Sequence, residues 1–202
     1  MNRQIVESSK KKLAAEEGYQ INRGANLRVA LCYPNTHAIG MANLGLHTMY
    51  ELFNSIPGVA CERAFLPDDA DMKVYEKSRT PLLSLETQTP LRDFDIVAFS
   101  ISFETDYLNM ARMLQLSGIP VWSRERNERH PLIVMGGAAS FLNPEPIADF
   151  TDVIAVGEGE VLAYQLIDAI EDNDSREELL LPAKPVLEYR PGRYPGRPDT
   201  FV

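Results

Sequence analysis

Short, continuously apolar runs alternate with amphipathic stretches along most of this chain, and that alternation constrains the fold more than any other feature. Five runs read as buried strands: Leu27–Tyr33, Ala60–Leu66, Ile96–Ser102, Leu132–Ala138 and Val153–Val156. Three of them, centred on Ala30, Ala98 and Val134, lack polar alternation, as strands covered on both faces should. Between the strands, Met41–Asn54, Glu104–Ser117 and Val161–Ile170 carry helical spacing. In the first, Met41, Leu44, Thr48 and Leu52 read as the apolar stripe, and Asn43, His47 and Glu51 as the polar one. In the second, Tyr107, Leu108, Ala111 and Leu114 share a face, and Gly118 with Pro120 ends the helix. Repeated strand–helix units joined by right-handed crossovers predict an α/β fold. The expectation is a doubly wound, five-stranded parallel sheet of flavodoxin-like order 2-1-3-4-5, with helices on both faces.

At 202 residues the chain is long enough to bury a substantial core. We expect an amino-terminal helix and extension over 1–24, one domain over 25–180, and a Pro/Gly-rich linker or arm over 181–202. The stretch Asp68–Phe94 is long for a crossover and reads as a short helix, an irregular or edge segment, and a turn. A formal net charge of −9 argues against a general nucleic-acid binder. No apolar run approaches a membrane span and the amino terminus lacks a secretory apolar core, so a cytoplasmic protein is expected. Cys32 and Cys61 are the only cysteines; both sit in strands and read as small buried hydrophobes. Two thiols cannot by themselves supply an iron–sulfur or structural zinc site.

In a sheet of this order, ligands lie over the carboxyl ends of strands one, three, four and five. Four unusual loops fall there. After the first strand comes Asn35-Thr36-His37-Ala-Ile-Gly40, after the third Ser100-Ile-Ser102-Phe-Glu104, after the fourth Gly136-Gly137-Ala-Ala-Ser140 followed by Asn143-Pro-Glu145, and after the fifth Gly157-Glu158-Gly159-Glu160. Glycines at strand ends allow close backbone approach by a bulky ligand. Hydroxyls and free N–H groups can hydrogen-bond its amide or phosphate groups. The same features have plain structural readings. His37 can satisfy a loop, Gly136-Gly137 can make a tight turn, and Glu158 can charge a helix amino terminus.

The ordered set His37-x-x-Gly40, Ser100-x-Ser102 and Gly136-Gly137 resembles the signature of cobalamin-binding domains. With Phe99-Ser-Ile-Ser-Phe-Glu-Thr-Asp-Tyr-Leu-Asn109, Gly136–Glu145 and Gly157-Glu-Gly-Glu160, the chain is similar to the amino-terminal cobalamin-binding-type domain of radical SAM proteins. The resemblance runs from about Leu27 to Ile170. It implies a cofactor site drawn from Asn35, Thr36, His37, Gly40, Ser100, Ser102, Glu104, Gly136, Gly137, Glu145, Gly157, Glu158 and Gly159, with His37 as a candidate axial cobalt ligand. Asn35 stands where the signature has Asp, and Ser102 where it has Leu; a neutral amide would make any ligating imidazole less basic. The resemblance further implies a radical SAM barrel in the same parent chain, holding S-adenosylmethionine and a 4Fe-4S cluster. This sequence contains no Cys-x-x-x-Cys-x-x-Cys motif, so it reads as an accessory domain without catalysis of its own. Two other readings stay open: a cofactor-free docking scaffold, and a stand-alone flavodoxin-like module for a flavin or nucleotide. No Gly-x-Gly-x-x-Gly or Walker loop follows the first strand.

Overall fold

The computed structural model describes residues 2–22, 24–173 and 175–180. The linker expected over 181–202 lies outside them. The elements run α1 (Arg3–Leu13), β1 (Leu27–Tyr33), α2 (His37–Gly40), α3 (Leu44–Ser55), β2 (Val59–Phe65), α4 (Asp69–Ser78), β3 (Ile96–Ser100), α5 (Tyr107–Ser117), β4 (Leu132–Gly136), α6 (Ala138–Leu142), β5 (Val153–Ile154), α7 (Gly159–Glu171) and α8 (Arg176–Leu180). The strands form one all-parallel sheet of order β2-β1-β3-β4-β5. The expected doubly wound architecture is thus the observed one.

Alternation along β1 divides the core into two layers. Ala30 and Cys32 face a layer with Ile5 of α1, Tyr75 of α4, and Met110, Met113 and Leu114 of α5. Val29, Leu31 and Tyr33 face the other, built with Leu46, Tyr50 and Phe53 of α3 and Ala163, Leu166 and Ile167 of α7. Both cysteines are buried and unpaired, and burial pushes both thiols up, as inert core residues require.

Several boundaries differ from the sequence reading. The helix expected from Met41 starts at Leu44, because Asn43 Oδ1 accepts the Leu46 N–H at 2.9 Å and caps it. Its buried face is Leu46, Tyr50 and Phe53, while Leu44 is 79% exposed. In α5 the buried face is Met110, Met113, Leu114 and Ser117, and Leu108 is exposed instead of inward. Glu104–Asp106 is a 3-10 turn ahead of that helix. The third and fourth strands stop at Ser100 and Gly136, since Ile101 leaves the ladder to bond Gly136 O and accept from Ala139 N–H. The fifth strand keeps only two residues, and the amino-terminal helix ends at Leu13 rather than Gly18. The segment after α4 covers the edge strand β2: Leu85 N–H donates to Arg63 O at 2.7 Å, and Leu83 bridges Pro90.

Candidate functional site

The carboxyl edge of the sheet has two unlike flanks. On the β1–β2 flank the polar groups are locked together. Arg63, 2% exposed, donates from Nε and from its backbone N–H to the two oxygens of Glu86, both at 2.7 Å. Its Nη2 lies 2.7 Å from Glu16 Oε2, and its guanidinium sits 4.6 Å over the Tyr50 ring. Burial pushes the Glu86 carboxyl up, against the pull of Arg63. Glu16 belongs to the amino-terminal extension, and its other oxygen contacts His37 Nε2 at 2.6 Å. Tyr50 OH donates to Gln20 O and accepts from Gln20 N–H, tying the same extension to α3.

His37 is therefore engaged on the β2 side, edge-on to Phe65 with ring centroids 5.1 Å apart. Gly40 is explained by the same ring, because a Cβ there would lie 2.4 Å from Phe65 Cε1. Asn35 donates through Nδ2 to Asp106 Oδ1 at 3.1 Å, and Asn109 donates to the same oxygen at 3.3 Å. Ser102 Oγ accepts from Asn43 Nδ2 and, at 3.4 Å, from Tyr33 OH. The loops after β1 and β3 are thus joined by a small amide–hydroxyl–carboxylate network. The buried carboxylate of that network is Asp106, which the sequence shows only as an acidic residue near a helix start.

Toward β4 and β5 the packing opens. A cavity of about 670 Å³ lies between the sheet and helices α3 and α7, opening among the strand ends. Its floor includes Leu31, Ala98 and Val134; Met49 and Phe53 of α3 and Leu162, Ala163 and Leu166 of α7 form its roof. Small residues create the space. Of the residues expected at a site, Ser100, Gly136, Gly137, Gly157 and Gly159 line it. Gly137 also has a packing reason: at φ 100° a Cβ would meet Ile101 O at 2.6 Å. Asn35, Thr36, His37, Gly40, Ser102, Glu104, Glu145 and Glu158 are not in its lining. Thr36 precedes α2, while Glu104, Glu145 and Glu158 are exposed on the surrounding loops. The contributions of α3 and α7 were not foreseen, because their small and apolar residues look like ordinary core. Among the described residues, no group of three His, Cys, Asp or Glu is arranged to hold a metal ion.

The chain is a doubly wound α/β domain with a largely apolar cavity at the carboxyl ends of its strands, the position at which sheets of this order place ligand sites. The family described as radical SAM proteins, N-terminal, matches residues 45–188, and this chain belongs to it. An uncharacterized protein of Methanocaldococcus jannaschii is 24% identical over 132 residues, which cover 65% of this chain and 24% of that protein. The chain spans about a quarter of the length of that curated relative. No helix among the described residues is long and apolar enough to cross a membrane.

Proposed function

We propose that this domain holds a large, partly apolar organic cofactor, a corrinoid of the cobalamin type, for a radical SAM barrel that follows it in the parent protein. The observation that carries the reading is the 670 Å³ cavity and its position. Its size falls within the usual range for ligand pockets of roughly 300–1,000 Å³, and such pockets are mostly apolar with few polar groups. The lining fits an apolar or aromatic part of such a cofactor, with Ser100, Thr48 and Gln165 as hydrogen-bonding groups. The loop network of Asn35, Asn43, Ser102 and Asp106 supplies a polar platform beside it for amide groups. A bound corrinoid supplies methyl-transfer or redox chemistry at its cobalt; this chain's residues bind and orient it. S-adenosylmethionine and a 4Fe-4S cluster belong to the barrel in this reading.

His37 is assigned a structural part, as the partner of Glu16, and the axial cobalt position takes no ligand from it. Titration of the purified chain with hydroxocobalamin tests the proposal. Co-elution and a changed absorption spectrum are expected; neither, at high protein concentration, would reject it. His37→Gln should leave the spectrum of bound cofactor unchanged, and an altered one would restore the axial role.

The charge around the mouth disfavours the flavin or nucleotide reading. Glu104, Glu145, Glu158 and Glu160 are exposed there. The loops 34–47, 101–109, 136–150 and 155–162 contain no Lys or Arg. A terminal phosphate at this mouth would meet like charge and no basic partner.

A further inference from the structure

We infer that the outer edge of β5 is a self-association surface, where two copies of this chain pair their β5 strands antiparallel about a two-fold axis and join their sheets into one. The two edges of the sheet are finished differently. On the β2 edge the segment after α4 lies over the strand, with Leu85 N–H donating to Arg63 O. At the other side β5 ends the sheet. Met135 pairs with Ile154 in parallel register, and its carbonyl accepts from Ala155 N–H at 2.7 Å. In a parallel ladder with that pattern the neighbours of Ile154 make the bonds to β4, so the N–H and C=O of Ile154 point outward. Edge strands are ordinarily blunted by charge, proline or a covering segment. Val153-Ile-Ala-Val-Gly157 has no charge and no proline. Val156 is 54% exposed, and α6, tied to this strand by Ser140 Oγ donating to Ala155 O, presents Phe141 and Leu142 at 59% and 73% exposure. An open edge beside exposed apolar side chains marks a contact surface.

Self-complementarity chooses the occupant. With the axis at Ile154, its N–H donates to Ile154 O of the second copy and its C=O accepts from that residue's N–H, the hydrogen-bonded pair of an antiparallel ladder. Val153 then stands opposite Ala155 of the other copy and Asp152 opposite Val156, so no like charges are opposed. Asp152 itself is already compensated: its carboxylate is 1% exposed and ion-paired with Arg126 and Arg176. An uncharged edge gains nothing from a strongly charged partner strand, whereas a second copy brings the same outward groups and the same apolar flank. The paired edge is short, so the interface is small and the dimer weak, with a dissociation constant of roughly 10–100 μM. The inference is independent of what the cavity holds.

Sedimentation equilibrium of the 202-residue chain tests the proposal. A monomer–dimer equilibrium is expected; a monomer at every concentration up to about ten times that constant would overturn it. Two variants locate the interface. Ile154→Pro removes an N–H that the β4 ladder does not use, and Val156→Lys puts a charge on the edge; each should weaken association at least about tenfold. The thermal midpoint of Val156→Lys should stay put, because the site is more than half exposed, so this variant decides the matter even if the proline one fails to fold. A dimer that persists unweakened in Val156→Lys would overturn the proposal. Amide exchange at 153–156 should slow as concentration rises, while exchange at 85–90, over the opposite edge, stays the same. Slowing at 85–90 instead would place the contact elsewhere and reject this edge. Each copy carries a formal charge of −9, so added salt should tighten association; weakening by salt would assign the dimer to ion pairs and also reject it. No corrinoid enters these measurements, so their failure leaves the titration above untouched.

Discussion

The two flanks of the sheet's carboxyl edge solve opposite problems with the same fold. On the β2 flank, paired charges fill most of the space and leave a cavity of only about 40 Å³. Glu62, 4% exposed on the edge strand, accepts from Ser84 Oγ at 2.6 Å and from Thr87 Oγ1 at 2.7 Å, beside the Arg63–Glu86–Glu16 cluster. Toward β5, the charged anchoring lies at the amino end, while Ser140 Oγ donates to Ala155 O at 3.0 Å at the carboxyl end. At the amino end the buried Asp152 carboxylate accepts from Arg126 and from Ile133 N–H, and pairs with Arg176. Beyond it the strand lasts two residues and the space under α3 and α7 is left open. Close-packed interiors resist deformation. The contrast therefore separates a flank that holds the loops in place from one that leaves room for a ligand.

The largest expected effect lies on the cemented flank. Arg63→Ala would leave Glu86 and Glu16 without their cation, and breaking a buried pair in this way costs about 3–5 kcal/mol. Denaturant unfolding should show that loss; a change below about 1 kcal/mol would mean that the cluster holds nothing together. A pair of equal insertions measures the contrast directly. Ala64→Leu, on β2 beside a cavity of only about 40 Å³, should cost about 1–3 kcal/mol as overpacking does. Ala98→Leu points its added carbons into the cavity, so its cost should stay under about 0.5 kcal/mol, within the range of tolerated substitutions. In the hydroxocobalamin titration that tests the proposed site, the same Ala98→Leu should weaken binding at least tenfold. Equal destabilisation by the two insertions would mean that the cavity is not available space.

The sequence made the cemented flank harder to see than the fold itself. The doubly wound parallel sheet followed from apolar runs and right-handed crossovers, which depend on local pattern and chain handedness, with the order taken as the flavodoxin-like one. The Arg63 cluster depends on residues 16, 37, 63 and 86 meeting in space, and no spacing rule links them. His37 illustrates the difference. Its motif placed it correctly in the loop after β1, but the side chain turns to Glu16, a residue of the extension that no strand–helix period connects to the loop. The cavity was half legible. Glycines at strand ends announced its rim, whereas Ala98, Ala163 and Met49 are indistinguishable from core residues until the helices are placed. Leu44 and Leu108 misled for a related reason: periodicity gives the spacing of apolar residues, but the helix phase depends on where the cap falls. Apolar residues left exposed carry the same pattern as those destined for the core.

The smallest effect concerns how the extension is joined to the cemented flank. Asp68 caps α4, with Oδ1 accepting from Ala70 N–H at 3.1 Å and Asp71 N–H at 3.0 Å, while Oδ2 lies 3.4 Å from Lys12 Nζ of α1. The bond from Asp71 N–H, aided by the Lys12 charge, holds the Asp68 carboxyl below its ordinary value. A carboxyl lowered on folding contributes stability above its unfolded pKa and loses it as pH falls through the folded one. Asp68→Ala should therefore cost about 1 kcal/mol near neutrality, the usual value of a lost cap, and progressively less on acidification. Asp68→Asn keeps an N-capping oxygen without the charge, so it should cost only a few tenths and flatten the acid limb of the stability curve. Thermal midpoints measured from pH 7 down to pH 3 separate cap from charge. If the Ala and Asn variants fall equally at neutral pH, the contact with Lys12, rather than the cap, joins α1 to α4.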